Sequence, residues 1–371
     1  MRVMFCARAI HQMAGGVERM ITTIMNGLVD RGHEVGLFTW DLEGAEPFFP
    51  LSPRITWHRL DMGDPAHTAD WWLVAKRAAR VRELVRQRDP QVIVCFQAGP
   101  FMALRLYTAG LDIPVVAAER NAPTRFEHTT HGRFGPRTVF NALRTARLIV
   151  VQRESYRALY PEYLHDRIVT VPNPVEPAAR CASPDLPDGC GRFQMLCVGR
   201  LSFQKNQEAL VSAFFELAGR WPDWDLVLVG EGEDQPRLEA MIRAADQGFR
   251  VHLTGTMVDP GPTYAKSHLF CLPSRWEGFP NALAEAHAHG LPAVAYAGCA
   301  GANELVCDGV NGLLAAGNGD VDSLAAALET LMADPRQRRA MGAAGRDSVA
   351  PFAPGRVMDL WEQTLLCCAG R

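Results

Sequence analysis

Short, nearly unbroken apolar runs alternate along this chain with longer stretches in which apolar residues recur every three or four positions. The first pattern predicts strands covered on both faces, the second amphipathic helices. In the first half, strands are expected at Val3–Ala7, Val35–Thr39, Ile55–Leu60, Val92–Phe96, Pro114–Ala118, Arg147–Val151 and Ile168–Val171. Helices are expected between most of them, at Val17–Arg31, Asp70–Arg88, Pro100–Thr108, Phe134–Thr145 and Arg153–Tyr160. Alternation of this kind builds a parallel sheet with helices on both faces.

The stretch from Val171 to Cys190 interrupts the pattern with Pro, Ala, Ser, Asp and Gly, a linker-like composition. The alternation then restarts with strands at Gln194–Val198, Asp225–Val229, Val251–Leu253, His268–Leu272 and Pro292–Tyr296, and helices at Gln207–Arg220, Gln235–Asp246 and Ala282–His289. Helices Asp320–Ala333, Pro335–Val349 and Gly355–Cys368 follow, the last set apart by Pro351 and Pro354. The expected fold class is α/β, with two doubly wound, Rossmann-like domains at 1–172 and 193–353 joined by a linker at 173–192. Such halves bind ligands beyond the carboxyl ends of their strands, so a cleft between them is the expected site.

Composition narrows the class. Hydrophobic residues make up 48% and charged residues 21% of the 371, an ordinary globular balance. No apolar run approaches the roughly 18–20 residues of a spanning helix, and the first ten residues lack a signal-peptide pattern, so a cytoplasmic protein is expected. The ten cysteines are scattered, without a C-x-x-C spacing, and read as reduced thiols rather than disulfides or a zinc site.

Charge is uneven. Residues 1–172 hold 22 Lys and Arg against 17 Asp and Glu, whereas residues 173–371 hold 16 against 24. An acidic second half argues against nucleic acid as a partner. Lysine occurs only at 76, 205 and 266, which makes each lysine informative.

Two motifs carry the chemistry. The run Trp276-Glu277-Gly278-Phe279-Pro280-Asn281-Ala282-Leu283-Ala284-Glu285 leaves a strand and enters a helix, with Pro280 in the first turn and free amides, Asn281 among them, at a positive dipole end. Glu277 and Glu285 would accept hydrogen bonds from two separated polyols, such as a ribose and a sugar. The second motif, Gly199-Arg200-Leu201-Ser202-Phe203-Gln204-Lys205-Asn206, follows the first strand of the second half. It sets Arg200 and Lys205 at that strand's carboxyl edge, where two cations suit a departing diphosphate. A third, weaker feature is the Gly-Gly turn Ala14-Gly15-Gly16-Val17-Glu18 at the start of the first expected helix.

Together with Val229-Gly230-Glu231-Gly232 and Asp308-Gly309-Val310-Asn311-Gly312, these residues resemble glycosyltransferase family 4, in order and across nearly the whole chain. The resemblance implies a GT-B fold whose last helix, 354–371, crosses back to the first domain. It also implies a retaining, metal-independent transfer of sugar from a nucleoside diphosphate, with UDP placed ahead of GDP, and no cofactor beyond the nucleotide sugar. Residue by residue, Arg200 and Lys205 would bind the diphosphate, Glu285 the ribose, and Glu277 with Phe279, Pro280 and Asn281 the donor sugar. Gly16 would lie under the phosphates, and Gly230, Thr256 and Met257 would wall the nucleobase pocket. Glu277, Arg200 and Lys205 are the expected catalytic residues, with the leaving phosphate helping to deprotonate the acceptor. The stretch Ala118-Glu119-Arg120-Asn121 is similar to a Ser-Glu-Arg-Asn stretch in members that extend bacterial surface glycans, which makes Glu119, Arg120 and Asn121 the expected acceptor-binding residues.

The acceptor expected is a saccharide, including one linked to polyprenyl diphosphate at the inner membrane face. Trp71, Val74, Ala78, Val81 and Val85 fall on one arc of helix 70–88, and residues 76–88 hold six Lys and Arg against Glu83 alone. A second basic stretch runs from Arg125 through Arg133, Arg137 and Arg144 to Arg147. Such surfaces suit peripheral contact with an anionic membrane. Two other readings share the same residues, a nucleotide-sugar epimerase and a nucleotide-sugar-binding protein without catalysis.

Overall fold

A computed structural model of the protein describes residues 1–13, 15–63, 69–128 and 135–370. The chain divides into two compact units, residues 1–173 together with the segment from Gly355 on, and Pro174–Pro354. Among the described residues the first unit contains β1 (Arg2–Cys6), β2 (Glu34–Thr39), β3 (Thr56–Arg59), β4 (Val92–Phe96), β5 (Val115–Ala118), β6 (Leu148–Val151) and β7 (Ile168–Thr170). They form one parallel sheet in the order β3-β2-β1-β4-β5-β6-β7. The central strands are runs such as Val-Ile-Val-Cys-Phe in β4, buried throughout, as a sheet covered on both faces requires.

The second unit contains β8 (Phe193–Val198), β9 (Trp224–Val229), β10 (Val251–Leu253), β11 (Leu269–Leu272), β12 (Ala293–Tyr296) and β13 (Gly312–Ala315). Their order, β10-β9-β8-β11-β12-β13, is again all parallel. In each sheet the direction of winding reverses once, beside β1 and β4 in the first and between β8 and β11 in the second. Loops leaving those strand pairs diverge to opposite faces and open a crevice at the carboxyl edge.

Several expectations are corrected. Strand β13 is absent from the sequence expectations because four residues show no period. Its register sets Gly312 beside Ala293, where a Cβ would stand 2.2 Å from the Ala293 carbonyl oxygen. The segment Glu154–Leu159 is a 3-10 helix ended by Pro161 rather than an α-helix. The fourth expected helix is Pro136–Leu143, and Phe134 lies outside the described residues. The stretch 173–192 is laid against the second unit: the Ala182 amide donates to the His289 carbonyl at 2.8 Å, and Arg338 donates to the Pro184 carbonyl at 2.6 Å.

Helix Trp71–Arg88 starts at Asp70, whose side chain accepts from the Leu73 amide at 2.7 Å. Its buried side holds Arg77, Val81, Leu84 and Val85, while Trp71 turns to solvent, off the apolar arc expected for it. The last helix, Pro354–Ala369, packs in the first unit. Trp361 stacks on Phe96 with ring centroids 6.2 Å apart, and Arg31 bridges Asp359 and Glu362, each at 2.7 Å.

Candidate functional site

Strands β8 and β11 are neighbours at the reversal of the second sheet, and the loops that leave them carry the two expected motifs. After β8 the chain turns through Gly199 and reaches Lys205 just before helix Gln207–Ala218. After β11 it runs through Ser274 and Trp276 to Glu277. The loops meet at one ion pair, with Lys205 Nζ 2.6 Å from Glu277 Oε1. The Glu277 side chain is 6% exposed and that of Lys205 21%, so the pair is largely dry but open on the lysine side. A neighbouring glutamine clips the loops together, Gln204 Nε2 donating to the Trp276 carbonyl at 2.9 Å.

Arg200 differs from Lys205. It is exposed, and its guanidinium makes no hydrogen bond or ion pair among the described residues. Its backbone is fixed instead, because the Arg200 carbonyl accepts from Gln207 Nε2 at 2.9 Å. Among the described residues, one paired and one unpaired cation therefore stand at the same strand end. Burial pushes the Cys197 thiol up to about 12, with Lys205 lowering it and Glu277 raising it. Burial likewise raises Cys299, which also faces Glu277 and Lys205. Both thiols stay protonated near neutrality, so neither adds charge beside the pair.

Glu285 sits on helix Asn281–Ala288, half-buried, and accepts a hydrogen bond from the Tyr264 hydroxyl at 3.1 Å. Tyr264 is itself held by stacking on His289 with centroids 5.0 Å apart. The helix start differs in detail from expectation. Pro280 is the N-cap rather than a first-turn residue, and the Asn281 amide is taken by the Phe279 carbonyl at 2.9 Å. Among the described residues the amides left without a backbone partner at this end belong to Ala282 and Leu283.

Gly230 follows β9 with φ +136°, and a Cβ there would stand 2.2 Å from the Gly199 carbonyl oxygen. Only glycine lets the backbones after β8 and β9 cross this closely. The Gly230 amide continues the crossing by donating to the Gly255 carbonyl at 2.8 Å. Thr256 is exposed, and its amide lies 3.4 Å from the Glu231 carboxylate, while Met257 is half-buried with its sulfur 3.4 Å from the Thr263 hydroxyl.

In the first unit, Gly16 opens helix Gly16–Asp30 with Gly15 as N-cap, and Ala14 lies outside the described residues. Glu119 follows β5, is 4% exposed, and has one carboxylate oxygen 3.8 Å from Arg125. Burial raises its pKa, offset in part by Arg125 and Arg120. Arg120 is 5% exposed, donates to Asn173 Oδ1 at 2.9 Å, and lies 5.1 Å from the Phe96 ring and 5.4 Å from Trp361. Burial brings it down to about 9. Its Nε and one terminal nitrogen are buried without a hydrogen-bond partner among the described residues, so the guanidinium held between the two rings keeps donors unspent. Asn121 is half-buried, and Arg133 of the second basic stretch lies outside the described residues.

Three supporting residues escaped sequence reasoning: Tyr264, Glu231 as a brace for the Thr256 loop, and Asp41, which accepts from the Ile10 amide at 2.9 Å and holds the loop after β1. Only Glu231 lay within a recognised motif; the other two carry no local signal. Two Asp-x-Asp pairs occur, Asp223/Asp225 and Asp320/Asp322. Asp225 accepts from Arg192 at 2.6 Å, and Asp320 caps helix Val321–Ala333 through the Ser323 amide.

Comparisons with known proteins match the chain in both units. The family described as glycosyltransferase family 4 matches residues 14–179, and glycosyl transferases group 1 matches residues 187–348. The chain is 26% identical to an uncharacterized glycosyltransferase of Haemophilus influenzae, over 95% of this chain and 96% of that one. It is 28% identical to a GDP-mannose-dependent alpha-(1-6)-phosphatidylinositol monomannoside mannosyltransferase of Mycolicibacterium smegmatis, over 90% and 89%. Among solved structures, Anabaena HepE in complex with UDP and glucose superposes with a TM-score of 0.79 at 18% identity, covering 99% of this chain and 99% of that one.

Proposed function

We propose, for a chain that belongs to glycosyltransferase family 4 and has its GT-B fold, that it transfers a hexose or N-acetylhexosamine from a nucleoside diphosphate to a saccharide with retention and without a metal. The chain is a glycosyltransferase, which leaves the epimerase and binding-only readings without support. The observation that carries the finer reading is the Lys205–Glu277 pair and, after the same strand, an Arg200 guanidinium with no partner among the described residues.

Arg200 has charge to give without breaking any existing bond, and Lys205 is held in place before the donor arrives. Two such cations offset the charge that develops on the diphosphate as the bond between the sugar C1 and the phosphate oxygen breaks. Glu277, already aimed by Lys205, accepts from a donor hydroxyl, and Glu285, aimed by Tyr264, accepts from the ribose. The acceptor oxygen forms its bond to C1 on the face the phosphate leaves, and its proton passes to the departing phosphate oxygen. Cations and helix amides then do what a divalent ion does elsewhere.

A lipid-linked saccharide is the acceptor we favour, supported by the phosphatidylinositol mannoside in the name of the mycobacterial relative and by the basic stretch around Arg137, Arg144 and Arg147. The same relative supports GDP as the nucleotide, and the UDP complex of the fold neighbour supports UDP. Thermal unfolding against a panel of UDP- and GDP-sugars separates the two, since a ligand bound by the native state raises the midpoint. Nucleotide release with chelator present, and the anomer formed by NMR, then test metal independence and retention. Failure of every sugar nucleotide to stabilise the chain overturns the reading.

A further inference from the structure

Trp71 and Trp72 begin helix Trp71–Arg88, and both project into solvent, with 71% and 60% of their surface exposed. They stack on each other, ring centroids 4.5 Å apart and planes inclined by 16°. Adjacent residues on a helix point about 100° apart, so the two rings form one broad indole plate that straddles the helix start. A plate of this kind in water exposes apolar surface that monomeric proteins ordinarily cover, while its indole N–H groups remain available to polar partners.

The charges around the plate say what covers it. Trp72, Lys76 and Arg80 succeed one another at helical spacing of four, and Arg86 falls on the same solvent side. Lys76, Arg86 and Arg88 are exposed and make no hydrogen bond or ion pair among the described residues, and Arg80 meets only exposed Glu83, at 2.9 Å. The other two cations of the helix are structural: Arg77 is buried and donates to the Met62 carbonyl at 3.0 Å, and Arg82 donates to the Ala109 carbonyl at 2.7 Å. Of the cations left over, Lys76, Arg80 and Arg86 share the solvent side with Trp72, whereas Arg88 closes the helix on the arc of Val81 and Leu84, in a chain whose net charge is −3.

We propose that the Trp71–Trp72 stack is an interfacial anchor for an anionic lipid bilayer, with Lys76, Arg80 and Arg86 meeting the lipid phosphates. Indole rings partition to the boundary between headgroups and acyl chains, where an apolar face and a polar N–H are both satisfied. Basic side chains next to them are drawn to a negative surface within a Debye length, so the two contributions act at the same depth. A helix lying along the surface with its first turn dipped in would seat the plate without unfolding any packed residue, because the core-facing side is Val81, Leu84 and Val85.

The test is co-sedimentation of the full-length chain with vesicles of phosphatidylglycerol and phosphatidylcholine, and with phosphatidylcholine alone, at low and high salt. The native chain is expected to bind the anionic vesicles and to be released by salt. Trp71→Ser with Trp72→Ser, and separately Lys76→Glu with Arg80→Glu and Arg86→Glu, are each expected to weaken binding at least about tenfold. Unfolding midpoints and the shift produced by a bound sugar nucleotide should stay unchanged in both, which keeps this test separate from that of the donor site. Absence of binding by the native chain, or equal binding by the tryptophan variant, overturns the proposal. So does a native dimer that the tryptophan variant dissolves, since a second copy would then cover the plate.

Discussion

Lys205 and Glu277 lie 72 positions apart in sequence, yet their charged groups close to 2.6 Å where β8 and β11 part company. Each follows the end of a neighbouring strand, so the sheet itself measures the distance between them.

The pair should be worth more to catalysis than to folding, and a double variant separates the two. Lys205→Met leaves a carboxylate 6% exposed without its counter-ion, a loss of roughly 3 kcal/mol, with kcat/KM down about 10²–10³-fold. Lys205→Met with Glu277→Gln should regain most of the stability and none of the activity. Recovery of activity in the double variant would count against a role in catalysis.

Arg200 gives the opposite signature. Because its guanidinium has no partner among the described residues, Arg200→Ala should shift stability by less than about 0.5 kcal/mol. Donor turnover should fall about a hundredfold, and Arg200→Lys should recover only part of it, since a point charge replaces a fork. Steady-state kinetics with varied donor, read beside a denaturation curve, checks both halves.

Gly230→Ala should disable the second domain. At φ +136° and with the new Cβ 2.2 Å from the Gly199 carbonyl oxygen, both crossing backbones must move. A cost above about 2 kcal/mol is expected. Urea unfolding is the measurement, and a midpoint equal to the parent's would contradict the crossing.

Tyr264→Phe removes the hydroxyl that aims Glu285 while keeping the ring on His289. Donor KM should rise about three- to tenfold with little change in kcat, the mark of an interaction made equally in ground and transition states. A fall in kcat with KM unmoved would place Tyr264 elsewhere in the reaction.

Glu119 should make stability depend on pH in a direction unusual for a carboxylate. Burial raises its native pKa above the unfolded value of about 4.3, so between those values the native state holds more protons than the unfolded one. Stability from this group is greatest below the window and falls as pH rises through it. Glu119→Gln is therefore expected to gain on the parent as pH climbs from about 4 to 7. Unfolding midpoints that diverge the other way would mean that Arg125 outweighs burial.

The sequence by itself determined every strand but β13 and most helices, because runs such as Val92–Phe96 and Leu269–Leu272 are apolar without a break and can only be covered on both faces. It also determined which side chains could do the chemistry, since Arg200, Lys205, Glu277 and Glu285 stand in motifs bound to strand and helix ends. Tertiary structure decided which charges were already spent. Among the described residues Lys205 meets Glu277, the Arg200 guanidinium has no partner, Arg120 is enclosed between Phe96 and Trp361, and Trp71 leaves its apolar arc for solvent. Local patterning records the period of one element, whereas these partners come from strands and helices far off along the chain, and their approach depends on the order of strands in a sheet.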